Sequence, residues 1–435
     1  MLKTIYTLLF LLALSSAARV VAQSAREELA AKPALAAGKY YAYEAPRAPL
    51  TAAPAGYAPF YVSVFARHGS RYLTDAEKYD RPIQVLARAA EAGCLTRDGL
   101  RTLDLARRMK READGRYGEL TAKGAAQHRE LARRMVEYYP EVFRDGVHVD
   151  ARSTYKTRAF LSMASACVEL ARLCPGLVIT QDASQHDAYY IKYKNPEYEA
   201  EHLGNAKAVY RLADSAYVHP ARLMARLFTD TSAVSRLNVK QQELMMDLFE
   251  LYGISQSSYA TYDLSFLFTL EEIYDLWQRN NFEWYYEKGP SPLSGGKMYE
   301  LERNLLKNFV TTADTVIASG RPAVTLRYGH DTNLAPLAAL MGLDDLQTPT
   351  EEWEKIADTY RTYRIIPMCG NVQVAFYRKA GSADILVRIL LNEREARLPL
   401  ATDVFPFYHW KDVRAYWQKV VSEIELPPVS GEAED

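Results

Sequence analysis

The sequence predicts an α/β fold: a three-layer core with a mainly parallel central sheet flanked by helices, and a mostly helical cap inserted into it. Three observations lead there. Apolar runs such as Pro59-Phe60-Tyr61-Val62-Ser63-Val64-Phe65-Ala66 and Pro322-Ala323-Val324-Thr325-Leu326-Arg327-Tyr328-Gly329 have the length and composition of strands. Stretches with helical periodicity lie between them, and strands that alternate with helices build layered sheets. Residues 184–296 differ in character, with long polar and aromatic helical stretches and no convincing strand. The chain thus divides into a signal peptide (1–22), a first core segment (23–183), the cap (184–296) and a second core segment (297–435).

Met1-Leu2-Lys3-Thr4 supplies a basic start, residues 5–14 an apolar stretch, and Val20-Val21-Ala22 small residues before Gln23. This is the pattern of a cleaved export signal, and it predicts a periplasmic or secreted protein. The stretch is too short to span a bilayer, and no later segment has the apolar length to do so, so no membrane span is expected once the signal is removed. Residues 24–59, rich in Ala and Pro, read as an extended leader onto the first strand. Helices follow at 100–110 and at 121–139, the second with Leu131, Met135 and Tyr138 on one face. A further helix at 158–173 ends at Cys174-Pro175-Gly176, and Leu177-Val178-Ile179 is a short strand behind it. Within the cap, 239–252 and 269–281 are the clearest helices. Residues 371–377 and 384–391 read as two strands joined by a Gly-Ser turn that finish the sheet, and 430–435 as a frayed tail.

With 435 residues, 49% of them hydrophobic and 25% charged, the chain can bury a large core and is not a disordered polymer. Its 53 basic and 54 acidic residues nearly cancel, so no global field recommends nucleic acid as a partner. The expected partner is a small molecule. Four cysteines are few for a disulfide scaffold. Cys167 and Cys174, if both lie on one helix, stand about 10 Å apart along it, too far to pair. Cys94 and Cys369 can pair with either or stay free. No CxxC spacing or histidine cluster suggests zinc, and neither a metal nor another cofactor is expected.

Two clusters carry the chemistry. Arg67-His68-Gly69-Ser70-Arg71 sits at the exit of the first predicted strand and puts an imidazole between two guanidinium groups. Guanidinium is planar, permanently charged and forked, so paired arginines hold a phosphate dianion. A neutral imidazole beside it can attack phosphorus. Near the other end, the strand at 322–329 delivers His330-Asp331, with Thr332 and Asn333 opening a helix. Ligands of open α/β sheets bind outside the carboxyl ends of strands, so the two clusters can share one pocket.

On these residues the chain resembles the histidine acid phosphatases, and within them the multiple inositol polyphosphate phosphatases and phytases. That family carries Arg-His-Gly-x-Arg-x-Pro, then an Arg in a Ser/Thr-rich helical segment, then His-Asp or a variant. Here Leu73 stands where the family usually has proline, which predicts a freer loop and a less constrained Arg71. Ser153-Thr154-Tyr155-Lys156-Thr157-Arg158, followed by Ser162, is similar to the second element and implies that Arg158 is a third phosphate clamp. Many members of the inositol polyphosphate branch carry His-Ala-Glu where this chain keeps His-Asp-Thr-Asn. Tyr139-Pro140-Glu141-Val142-Phe143 and Leu390-Leu391-Asn392-Glu393 are also similar to segments of that branch.

The expected activity is hydrolysis of phosphomonoesters by an exported enzyme acting through a phosphohistidine. Arg67, Arg71 and Arg158 neutralise the phosphoryl oxygens, His68 is the nucleophile, and His330 donates to the phosphate. Asp331 enters protonated, gives its proton to the departing alkoxide, and predicts activity that favours mildly acidic pH. Inositol polyphosphates such as phytate are the favoured substrates, with a broad acid or sugar phosphatase as the alternative. Lys192 and Lys194 can reach extra phosphates or can belong to a solvated, tyrosine-rich loop. A phosphate-binding protein without turnover is the alternative of another class, although binding alone has no use for the proton donor Asp331.

Overall fold

The computed structural model describes residues 23–427; the expected export signal at 1–22 and the expected frayed tail at 430–435 lie outside them. A central sheet contains β1 (Tyr57–Arg67), β2 (His148–Ser153), β3 (Val178–Asp182), β4 (Ala323–Gly329), β5 (Asn371–Lys379), β6 (Ile385–Leu391), β7 (Arg394–Glu395) and β8 (Phe407–His409). Its order is β3-β2-β4-β1-β5-β6-β7, with β8 also on β6. The four strands β3, β2, β4 and β1 are parallel, and β5 joins β1 antiparallel. Such a mixed sheet with a parallel centre needs helices on both faces.

Strand β1 shows how both faces are covered. Val62, Val64 and Ala66 point into a core with Ala132 and Met135 from the helix Ala122–Tyr138 and Met163, Ala166 and Leu170 from the helix Thr157–Leu173. Tyr61 and Phe65 point the other way, toward the helices Arg303–Ser319, Asp331–Leu340 and Trp410–Glu423. Side chains two apart share a face, so a strand buried on both sides reads as one continuous apolar run.

Residues 184–296 carry helices and, among the described residues, no strand. The helices Gln241–Ile254 and Leu270–Lys288 pack in one cluster with Glu77–Glu91 and Arg97–Ala113. No helix among the described residues is long and apolar enough to cross a membrane.

Three expectations change. Residues 24–59 do not run as an extended leader: Ala25–Ala31 is a helix closed by a capping box between Ser24 and Glu27, and a 3-10 helix at Pro33–Tyr40 follows. Alanine is the best helix former, and Ser-x-x-Glu caps the start. β5 and β6 do not close the sheet at an edge, since β5 lies against the central strand β1 and the sheet continues beyond β6. β2 is a strand that the sequence pattern hides, because its polar His148, Asp150 and Arg152 face partly open surroundings. The four cysteines are free thiols.

Candidate active site

Three parallel neighbours end in one row. Arg67 of β1 lies beside Gly329 of β4, and Ser153 of β2 lies beside Tyr328 of β4. The loops leaving these ends therefore start side by side: His68 N–H donates to Gly329 O at 3.0 Å, and Thr154 N–H donates to Tyr328 O at 3.0 Å. The imidazoles of His68 and His330 come within 5.6 Å, centroid to centroid. The two distant histidine clusters meet at one crevice.

His68 is buried, and its Nδ1 lies 2.9 Å from Gly69 O. A carbonyl oxygen accepts only, so Nδ1 carries the proton and Nε2 keeps a lone pair. Burial first, and then Arg67, Arg158 and Arg71, hold the ring well below the usual imidazole range. It is neutral at physiological pH. His330, whose Nε2 pairs with Thr154 Oγ1 at 3.1 Å, is pushed down to about 3 by burial and by Arg158. Its Nδ1 is buried without a hydrogen-bond partner among the described residues.

Arg67 is fully buried. Its Nη1 donates to Lys39 O and Ile366 O at 2.6 and 2.5 Å, and its Nη2 lies 2.6 Å from Asp331 Oδ2. Burial alone would raise the Asp331 carboxyl, but Arg67, Arg71 and Lys39 outweigh it and leave the pKa lowered. In the free protein Asp331 is thus a carboxylate rather than the protonated acid expected from sequence, because a permanent cation is its nearest partner. Arg67, Arg71 and Arg158 each keep a buried Nε without a hydrogen-bond partner among the described residues. Such donors are costly to bury unless something accepts from them. They also depress one another: Arg71 and Arg158 lower Arg67, and Arg71 lowers Arg158.

The loop after β1 is fixed by contacts too close for a side chain. A Cβ at Gly69 would come within 2.4 Å of Gly124 O, at the start of the helix Ala122–Tyr138. Gly69 N–H donates to Ser162 Oγ and Ser70 N–H to Gln127 Oε1. Leu73 does not free the loop, as the missing proline suggested. Its N–H donates to Tyr79 OH at 3.0 Å, its side chain is fully buried, and Arg71 is bridged to Leu120. A proline would remove that donor.

A cavity of about 520 Å³ opens from this crevice. Arg158, His330, Asp331 and Asn333 line its inner end, and Lys156, Lys192, Lys194 and Lys288 line it toward the helical segment. Arg71 lines a separate, much smaller crevice with Tyr72, Tyr79 and Glu112. Lys192 also lies over the Tyr155 ring at 3.9 Å. Sequence reasoning gives no role to Lys156, although it stands in the quoted motif, and misses Lys288, Glu302 and the Lys39 carbonyl, since lone residues in helical or 3-10 segments carry no pattern. Ser162 stood in the motif and holds the Gly69 amide. Neither the segment at 139–143 nor that at 390–393 lines this cavity; Tyr139, Val142 and Phe143 are core residues, and Glu393 pairs with Arg134 at 2.7 Å.

Fold and site together define an α/β protein with a pocket lined by cationic side chains at the carboxyl edge of its sheet. The chain belongs to the histidine phosphatase superfamily (branch 2), whose model matches residues 61–392, and it is a phosphatase. Among solved structures it is similar to the Bifidobacterium longum multiple inositol polyphosphate phosphatase in complex with inositol hexasulfate, with a TM-score of 0.70 at 20% identity over 88% of this chain and 97% of that one. The phytase from D. castellii gives 0.67 at 14% identity, over 90% and 86%. That from Klebsiella sp ASR1 gives 0.51 at 14%, over 84% and 96%. No curated protein matches the chain significantly by sequence.

Two outcomes are expected. Leu73→Pro loses the bond to Tyr79 and a buried side chain, and should cost about 3 kcal/mol in urea denaturation. Buried His68, His128 and His330 all have lowered pKa values in the folded state. The unfolded chain then binds more protons below about pH 6.5, so stability is full above that value and falls by about 1.4 kcal/mol per pH unit per histidine below it. Thermal melts of the ligand-free protein from pH 7 to 5 should show a falling Tm, and an unchanged Tm would contradict these assignments.

Proposed function

We propose that this phosphatase hydrolyses phosphomonoesters through a phosphohistidine on His68, that it prefers inositol polyphosphates, and that it acts after export, in a periplasm or outside the cell. The observation that carries the reaction is the neutral His68, with its Nε2 lone pair among three arginines that keep unpartnered donors. Arg67, Arg71 and Arg158 bind the equatorial oxygens, and His330 adds a donor from Nδ1. Nε2 of His68 forms a bond to phosphorus as the ester P–O bond breaks.

The departing alkoxide takes its proton from Asp331. A bound phosphate dianion occupies Arg67 and adds negative charge beside the carboxylate, and both effects raise the Asp331 pKa from its value in the free protein. The proton arrives with the monoanionic substrate or from solvent, which favours mildly acidic pH. Water then attacks phosphorus, the N–P bond breaks, and Asp331 receives the water proton.

The substrate preference rests on the lysines. Lys156, Lys192 and Lys194 give the cavity more positive charge than a single phosphate needs, Lys288 being paired with Glu199, and a ring bearing several phosphates uses that surplus. Proteins of the same fold include a multiple inositol polyphosphate phosphatase and phytases, which agrees with that reading. The signal sequence supports export.

His68→Ala should abolish turnover while the Tm stays within a few degrees, and phosphate from labelled substrate should be trapped on His68 of the native protein after a quench without acid. Native turnover by the variant would refute the nucleophile. On phytate, kcat/KM should exceed that on a simple aryl phosphate by at least tenfold, and replacing Lys192 and Lys194 together by Ala should erase most of this difference. Equal efficiency on the two substrates in the native protein would discard the preference and leave a broad acid phosphatase.

A further inference from the structure

Two acidic residues that line the cationic cavity have no place in the reaction above: Glu199, which pairs with Lys288, and Glu302. Glu302 ends the 3-10 helix Met298–Glu302, packed on the helix Asp331–Leu340, and it lines the cavity beside His330, Asp331 and Asn333. It is 2% exposed. Its Oε1 accepts from Asn333 Nδ2 at 2.9 Å, and its Oε2 is buried without a hydrogen-bond partner among the described residues.

A buried carboxylate requires a cation or several donors. Glu302 has one amide. The charged and titratable groups facing it are Lys288 on Leu270–Lys288, whose ammonium is 3.0 Å from Glu199, and His330 and Asp331 at the start of Asp331–Leu340. Across the cavity stand Tyr155, Lys156, Arg158, Lys192, Tyr193 and Lys194. Burial raises Glu302 to about 8, against smaller lowering effects of Asn333 and Lys288. Because Oε1 accepts from the Asn333 amide, the proton of the neutral acid sits on Oε2, and the O–H is a donor in a pocket that binds anions.

We propose that Glu302 is a substrate-positioning residue that works uncharged, donating a hydrogen bond from Oε2 to a phosphate of the substrate while Asn333 holds it in place. This rests on the inositol polyphosphate reading of the same cavity. When Glu302 ionises, the donor is lost and a negative charge faces the substrate, so affinity for polyanions falls as pH rises through the titration of this acid.

Inositol hexasulfate is a suitable probe, since its charge does not change between pH 6 and 10 and the enzyme does not consume it as a phosphomonoester. Calorimetric binding to the full chain should show affinity falling about tenfold between pH 7 and 9 beyond any change in Glu302→Gln, which keeps a donor and the Asn333 contact but cannot ionise. Glu302→Gln should match the native protein at pH 6 within about twofold and lack the bend. Glu302→Ala should bind about tenfold more weakly at pH 6. Overlapping pH curves for the native protein and Glu302→Gln, with hexasulfate bound by both, would overturn this inference alone. A native protein that turns over an aryl phosphate but fails to bind hexasulfate would overturn the polyphosphate reading and this inference with it.

Discussion

The parallel register of β2, β4 and β1 is the constraint from which the site follows. Because Arg67 pairs with Gly329 and Tyr328 with Ser153, three chain segments leave the sheet at the same level. One slip in register would turn each side chain to the opposite face and carry the loops apart. The register is held by residues packed on both faces of the sheet, so the helices far from the pocket set its geometry. The Gly69–Gly124 contact extends this constraint beyond the strand, since it leaves the His68 loop no room to move toward the helix Ala122–Tyr138.

Electrostatics at this edge work against the free protein. Three guanidinium groups crowd together, and among the described residues Asp331 and a few carbonyls offset them. Buried donors without partners are expected where function requires them, and they mark where local rules are broken. Burial and the same cations keep His68 neutral, with a free lone pair on Nε2. The cations also hold Asp331 as a carboxylate. The protonation states of His68 and Asp331 thus follow from burial and one cluster of charge, which leaves the base neutral and the acid charged.

The helical side of the cavity adds a second layer of charge. Lys156 precedes the helix Thr157–Leu173, Lys192 and Lys194 follow a short helix at Ala188–Ile191, and Lys288 ends Leu270–Lys288. These positions are far apart in sequence and converge only because the helical segment folds back over the sheet edge. The N-terminal 3-10 helix also reaches the site, where the Lys39 carbonyl accepts from Arg67.

Strands β1, β4, β5 and β6 and the helices at 97–113, 122–138, 157–173, 241–254 and 270–288 are legible in the sequence because apolar periodicity is local, whereas Glu77–Glu91, Arg303–Ser319 and Trp410–Glu423 are not read there. Arg67, His68, Arg71, His330 and Asp331 stand out because their residue types sit together at strand exits. β2 is not legible, since alternating polar residues find their partners across the sheet: Arg152 reaches Asp182 and Asp187 from β3 and beyond. The order of residues determines which strand ends carry histidine and arginine. Only the tertiary structure decides that Asp331 meets Arg67 as a carboxylate, that Leu73 holds its loop through Tyr79, and that Glu302 stands buried against the Asn333 amide. Each of these depends on what a side chain meets after burial, and burial brings together residues whose separation along the chain contains no trace of the contact.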